Sequence, residues 1–375
     1  MDSFANMLST GMKNKGHNVQ VWLPAPVFYS LPVGMFVKKW LGYIDQYVIF
    51  PGKVWLRLKK SNANTLFVFT DQALGPWVPL VKRRPHVIHC HDFLALQSAL
   101  GEIPENHVSW TGRAYQSYIY KGYLLSTNFI SVSKHTQKQL ERFVPTASKY
   151  SEVVYNGLKE TFKLSKSDKA REFLTNSIGF DIKAGYILHI GGNQWYKNRL
   201  GVVEIYNAWR EAYKLRLPLL LIGEQPSSSL LHLYNQSSFK KDIHFLTAAD
   251  DQFVSYAYAG ASAFLFPSLA EGFGWPIAEA MACGCPVITT NEAPMTEIAG
   301  NCGFLIPRRP YNILKAQDWA IDAAKTLNII LKLSDKEREK VVQSGFANAQ
   351  RFNFSTSLNL IESIYTNILQ LNNTL

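Results

Sequence analysis

Residues 271–284 read Glu271-Gly-Phe-Gly-Trp-Pro-Ile-Ala-Glu279-Ala-Met-Ala-Cys-Gly284, and they follow an apolar run ending Phe266-Pro267-Ser268. A strand ends, a glycine-rich turn follows, and Pro276 stands where it suits a first helical turn. The helix continues through Glu279 to Cys283, and Gly284 ends it. Backbone N–H groups over residues 274–277 are then expected to be free and positively polarised, which suits a diphosphate. Glu271 falls in the turn, at the carboxyl end of a strand, where open α/β sheets bind ligands. Glu279 lies one turn into the helix and can face the same crevice. Carboxylates accept hydrogen bonds from vicinal hydroxyls. Two of them around an anion site suggest a ligand with two sets of hydroxyls, a sugar and a ribose, flanking a phosphate.

A second stretch repeats the order strand, glycine turn, helix: Tyr186-Ile-Leu-His-Ile-Gly-Gly-Asn-Gln-Trp-Tyr-Lys-Asn-Arg199. Gly191 and Gly192 allow close backbone approach. Lys197 and Arg199 follow, and a lysine there can neutralise a leaving diphosphate without a metal ion. No Asp-x-Asp motif occurs in the sequence, so a metal-chelated diphosphate is not expected.

Working outward, short apolar runs alternate with helical stretches. Strands are expected at residues 19–23, 65–70, 87–90, 129–132 and 153–155, and again at 186–190, 219–222, 243–246, 263–266 and 287–289. This alternation predicts an α/β chain with parallel sheets covered by helices. A charge-rich stretch, residues 159–181, separates the two sets as a linker and lead-in helix. Residues 1–15 read as an amphipathic helix with Phe4, Met7, Leu8 and Met12 on one stripe. A doubly wound domain normally opens with a strand and glycine turn before such a helix, so that unit is expected to be absent here.

Composition narrows the classes. The chain has 375 residues, 47% of them apolar, which suits two domains with large cores. Four cysteines, Cys90, Cys283, Cys285 and Cys302, do not make a disulfide framework, and a cytosolic location is expected. Cys283 and Cys285 read as small core residues. No apolar run is long enough to span a membrane, and the opening residues do not resemble a signal peptide. The net charge is +11, and residues 1–150 carry 17 of the 39 Lys and Arg but only 7 of the 28 Asp and Glu. That half suits an anionic partner. Within it, residues 31–60 mix Met35, Phe36, Trp40, Leu41 and Ile44 with six Lys and Arg. This reads either as a basic amphipathic segment on an anionic membrane surface, peripheral on the cytoplasmic side, or as an insertion packing its aromatics on its own domain. No nucleic-acid motif accompanies the charge, and nucleic acid is not an expected partner.

Together the two glycine-turn stretches resemble the family-4 retaining glycosyltransferases (glycosyl transferases group 1) of the GT-B fold. Residues 187–197 resemble that family's phosphate-binding turn, 243–245 the strand beside the nucleobase, and 271–279 its E-x7-E element. Residues 288–303, with Glu297, resemble the following strand and acidic loop. Val87-Ile-His-Cys-His-Asp92, Ile130-Ser-Val-Ser133 and Val154-Tyr-Asn-Gly157 are similar to its domain-edge strands, and 345–369 to the helix that crosses back. The resemblance implies two Rossmann-like doubly wound domains facing a cleft. Residues 1–160 would form the acceptor domain, 161–345 the donor domain, and 346–375 the returning helix.

It also implies a hexose transferred with retention from a UDP- or GDP-linked donor to a glycan or lipid-linked acceptor, with no cofactor and no metal. Glu271 would hold the sugar, Glu279 the ribose, and Lys197 the departing phosphates. Gly272, Phe273, Gly274 and Trp275 would offer amides, and Gly191, Gly192, Asn193, Asn198 and Arg199 would complete the donor pocket. Where the family often has an arginine, five residues before Lys197, this sequence has Gly192. His91, His107 and Arg113 are the acceptor-side candidates. An epimerase of the same fold, a phosphorylase with a lysine-bound pyridoxal cofactor, and a truncated or non-catalytic paralogue are the alternatives. His89 and His91 share a strand face without a third metal ligand, and His189 reads as a satisfied core histidine. The sequence names no oligomeric state.

Overall fold

The computed structural model describes residues 2–62, 64–145 and 148–373. Residues 1, 374 and 375, at the outer ends of the expected first domain and returning helix, lie outside the described residues.

Two sheets organise the chain. The first is parallel, in the order β1 (Phe67–Phe69), β2 (His86–Cys90), β3 (Asn128–Ser131), β4 (Tyr150–Val153). β2 and β3 are buried along their whole length, as strands covered on both faces must be. Their side chains alternate. Ile88 and Phe129 join Phe93, Tyr123 and Leu140 on one face. Val87 and Ile130 turn to the other, meeting Phe4, Leu8 and Met12 of the first helix, Asp2–Asn14, and Leu358, Ile361 and Ile368 of the last, Phe354–Asn373. The stripe read in residues 1–15 therefore faces this sheet, and the crossing helix braces the first domain as expected.

The second sheet has six parallel strands in the order β10-β9-β8-β5-β6-β7. They are β5 (Ile187–Ile190), β6 (Leu219–Ile222), β7 (Ile243–Leu246), β8 (Ala263–Phe266), β9 (Val287–Thr290) and β10 (Phe304–Ile306). From β5 the chain winds outward through β6 and β7. It then returns to β8 on the other side of β5 and winds outward again. The order reverses between β5 and β8, which is the topological switch point where such sheets bind ligands.

The structure corrects several expectations. Residues 19–23 form no strand: Val21 and Leu23 are exposed and join no ladder among the described residues, although Trp22 touches the Phe67 ring. β4 begins three residues earlier than expected and ends at Val153. β10, only three residues long, had no readable pattern. Residues 31–60 contain a helix, Met35–Ile44, a π-helical turn, Asp45–Ile49, and a second helix, Phe50–Leu58. Part of this segment does pack on its own domain, because Phe50 and Tyr47 meet the ring of Trp77. No helix among the described residues is long and apolar enough to cross a membrane.

Candidate active site

The turn after β5 carries Lys197 and the turn after β8 carries Glu271, so the switch point places both at one mouth. Lys197 Nζ stands 2.8 Å from Glu271 Oε1. Both side chains are largely withdrawn from water, at 15% and 8% exposed. Ser268 Oγ donates to the same Oε1 at 2.8 Å. Lys197 Nζ also lies over the rings of Tyr196 and Phe266, at 5.2 and 5.1 Å. The ion pair is therefore fixed in position by its walls.

Asn198 explains how the lysine is aimed. Its backbone is left-handed (φ 49°) and its side chain caps the helix Arg199–Ala212 by accepting from Gly201 N. Its Nδ2 donates to Pro267 O at 2.8 Å, which ties the β5 turn to the end of β8. Arg199, 5% exposed, points inward and donates to Asn193 Oδ1 and Glu224 O. Asn193 in turn donates to Glu224 and Gln225. Asn193, Asn198 and Arg199, expected to line the donor pocket, bond within the protein, although Arg199 Nε and Nη2 find no partner among the described residues. Gly192 lies against Gln194 and Glu224, and a Cβ there would crowd both side chains.

The glycine turn leaves a run of backbone amides without protein acceptors among the described residues. Gly274 has φ +98° and precedes the helix Trp275–Ala282, with Pro276 in its first turn. The amides of Gly272, Phe273 and Gly274 donate to no protein acceptor among the described residues. One expectation fails here: Ile277 N is not free, because it donates to Gly274 O at 3.0 Å. Pro276 has no N–H at all, so the available amides lie upstream of it.

Glu279 is half-buried, and Tyr258 Oη donates to its Oε2 at 3.0 Å. Burial raises its carboxyl to about 7, against the Tyr258 hydrogen bond, which lowers it. His189 was expected to be satisfied and is only half so. Its Nδ1 bonds Leu265 O, burial holds the ring neutral, and Nε2 has no partner among the described residues.

From the first domain, β2 delivers His91 and Asp92 to this mouth. His91 Nε2 donates to Thr70 O at 2.9 Å, its ring meets Phe4 edge-on, and burial lowers its pKa. His91 O abuts Gly272 so closely that a Cβ there would collide with it. Asp92 was not singled out in the sequence, yet it borders Gly272 as well. Leu94 N donates to its Oδ1. Burial pushes its carboxyl up, and the charges of Asp71 and Glu271 add to that. Tyr196 feels burial and both Glu271 and Asp92, which push its hydroxyl up to about 12. The position of Asp92 at the carboxyl end of a buried strand was the available signal. His107 is exposed in the loop before the helix Trp110–Tyr123, and Arg113 donates to Val108 O.

Direct bonds join the two domains around this mouth. Ser133 Oγ and Thr136 Oγ1 both donate to Gly272 O, at 2.8 and 3.1 Å. Glu297 accepts from Lys134 N and His135 N, at 2.8 and 3.2 Å, and so caps the helix Lys134–Phe143 from across the gap. Arg308 donates to Glu105 Oε1 and Leu269 O. None of these contacts was readable from local sequence.

Comparison with known families agrees with this geometry. A model described as Glycosyltransferase Family 4 matches residues 2–161, and one described as Glycosyl transferases group 1 matches residues 184–328. The chain belongs to this glycosyltransferase family. Over 173 residues it is 31% identical to O-antigen chain mannosyltransferase B of Escherichia coli, covering 45% of this chain and 42% of that protein. It is 24% identical to O-antigen chain mannosyltransferase RfbU of Salmonella typhimurium, covering 46% and 44%. These matches span less than half the length of either relative. Among solved structures, Anabaena HepE in complex with UDP and glucose superposes with a TM-score of 0.67 at 21% identity, over 86% of this chain and 83% of that one. WaaG, a glycosyltransferase involved in lipopolysaccharide biosynthesis, superposes at 0.65 and 15%, over 97% and 95%. At such identities the likeness is one of fold: two Rossmann-like domains in the GT-B arrangement.

Proposed function

We propose that the protein transfers a hexose from a UDP- or GDP-linked sugar to a glycan or lipid-linked acceptor, with retention and without a metal ion. The observation that carries this reading is the Lys197–Glu271 pair at the switch point, beside free amides of the glycine turn and opposite Asp92. An arriving diphosphate would draw the Lys197 ammonium from Glu271 and free that carboxylate for the sugar hydroxyls. Glu279 would hold the ribose. The bond from the anomeric carbon to the phosphate oxygen breaks, and its electron pair stays on the phosphate beside Lys197. The acceptor oxygen bonds the same face of the anomeric carbon, and its proton passes to the departing phosphate. Lys197 supplies the positive charge a metal would otherwise bring. Asp92, on the acceptor side of Gly272, would orient the incoming hydroxyl.

The test begins with a screen of common UDP- and GDP-sugars by thermal shift and by release of nucleotide. With the donor so found, Lys197→Ala and Glu271→Ala each lower turnover about a hundredfold or more. Asp92→Asn keeps the donor-induced shift and lowers transfer to acceptor. Wild-type turnover in both Lys197→Ala and Glu271→Ala rejects the site. Conversion of the donor with no acceptor present would point instead to an epimerase of the same fold.

A further inference from the structure

The first sheet has a concave site at its amino end, the end away from the cleft. His86 opens β2, Asn128 opens β3 and Lys149 stands just before β4, and all three border one cavity of about 300 Å³. That volume is at the lower end for small-molecule sites. The length of β2, about 15 Å for five residues, separates it from His91 and Asp92 at the other end.

The lining is positive. Lys82, Arg83, Arg84 and Lys149 contribute to it, and no acid does. None of these four joins an ion pair among the described residues. Arg84 is held in place, because its Nη2 donates to Leu58 O and Ser61 O at 3.4 and 2.9 Å. Leu125, with Ile368 and Leu371 of the crossing helix, supplies an apolar wall.

His86 sets the cavity apart from a solvated basic face. It lines the cavity and is 5% exposed. Its Nδ1 bonds Arg84 O at 2.8 Å, so Nδ1 carries the hydrogen and Nε2 is a bare acceptor. Nε2 has no partner among the described residues, and buried polar atoms are rarely left in that state. Asn128 Nδ2 donates to His86 O, and the Phe69 ring meets the imidazole edge-on, so both neighbouring strands fix the residue. Four cations call for an anion, whereas Nε2 calls for a donor. A phosphate monoester offers both, because its second proton leaves only near pH 6, to an approximation of about one unit. A phosphodiester, as in nucleic acid or a bilayer, brings no such proton. It would have to find one on an imidazole whose pKa burial lowers.

We propose that this cavity binds a small molecule ending in a phosphate monoester, with the four cations around the phosphate and His86 Nε2 accepting from its hydroxyl. The apolar wall takes the carbon skeleton. The site lies outside the cleft and does not depend on the transferase reading.

Phenyl phosphate, a monoester with an apolar ring, is titrated calorimetrically into the full chain, with phenyl methyl phosphate as the diester control. Wild type and Lys197→Ala bind the monoester equally, and the diester binds about tenfold more weakly or less. Lys82→Ala with Lys149→Ala weakens monoester binding about tenfold or more while the unfolding midpoint stays at the wild-type value. Affinity falls from about pH 6 to about pH 8 as the monoester loses its proton. Lysine and arginine do not ordinarily titrate in that window, and the crossing helix brings only Ile368 and Leu371 to the lining. His86→Phe keeps a ring but no acceptor, and removes that fall. The proposal is rejected if wild type does not bind phenyl phosphate, or if Lys197→Ala abolishes the binding, which would place it in the cleft. It is rejected equally if Lys82→Ala with Lys149→Ala binds like wild type, or if the diester binds as well as the monoester.

Discussion

Glu279 and Glu271 sit eight residues apart on one turn and helix, yet their surroundings give them different chemistry. Glu271 is paired with Lys197 and Ser268, whereas the Glu279 carboxylate accepts from the Tyr258 hydroxyl and is raised to about 7 by burial. A folded-state value above the ordinary carboxyl range means that the folded protein holds this proton more tightly than the unfolded chain does. Its stabilising contribution is complete below the unfolded value and is lost as pH rises through about 7. Glu279→Gln keeps an oxygen for Tyr258 and carries no charge. It should match wild type near pH 5 and exceed it above pH 8 by about 2 kcal/mol, the full linkage value being reduced by the carboxyl's partial access to water. Denaturant unfolding at the two pH values checks this, and an equal gap at both counts against it. If Glu279 also holds the ribose, wild-type nucleotide affinity rises through the same pH window and the variant's does not.

At the scale of the element, the glycine turn before the helix Trp275–Ala282 is what makes the amides of residues 272–274 available. It does so through the left-handed backbone of Gly274, whose Cβ, if present, would lie 3.3 Å from Ile277 Cδ1. Gly274→Ala should therefore cost about 1–2 kcal/mol of stability from backbone strain. Because the strain falls on the turn itself, the donor-induced thermal shift should shrink by more than the unfolding midpoint alone explains. A variant with an unchanged shift would show that the turn's geometry is not what binds the phosphates. The neighbouring β5 turn uses Asn198 for the equivalent task, with a side chain that both caps its helix and anchors to Pro267 O. The two turns are thus tied to each other by the protein's own bonds.

Across the whole molecule, Gly272 is a point where the two domains meet in close contact. His91 O and the Asp92 side chain occupy the space a Cβ would need, while Ser133 and Thr136 donate to Gly272 O. Gly272→Ala should force the domains apart there, with Glu297 and Arg308 left holding strained contacts across the gap. The expected result is a larger radius of gyration by small-angle scattering and about 1–3 kcal/mol lost from overpacking. On the proposed reading, acceptor transfer should fall more than donor binding, because the donor would be held by the second domain and the acceptor by the first. Unchanged scattering and transfer would show that the interface yields without consequence. The helix Phe354–Asn373 limits how far such opening can go, since Leu358, Ile361 and Ile368 are buried against β2 and β3.

Most of the second sheet and the two turns that carry the candidate site were legible in the sequence alone. β6, β7 and β8 lie where unbroken apolar runs placed them, and Lys197 and Glu271 follow strand-to-glycine turns whose chemistry is local. The sequence also determined the basic, aromatic character of residues 31–60. Tertiary structure alone decided the rest, because hydrogen-bond ladders and burial depend on what lies alongside. Residues 19–23 have strand composition but join no ladder among the described residues, even though Trp22 touches Phe67 of the edge strand β1, and Val21 and Leu23 stay exposed. β10 becomes a strand only because β9 offers it a partner. Asp92 owes its raised carboxyl first to burial, and then to the charges of Asp71, 21 residues away in sequence, and of Glu271, from beyond β5. The pairing of Lys197 with Glu271 arises in the same way, because the order of strands reverses between β5 and β8 and brings their two turns to one mouth.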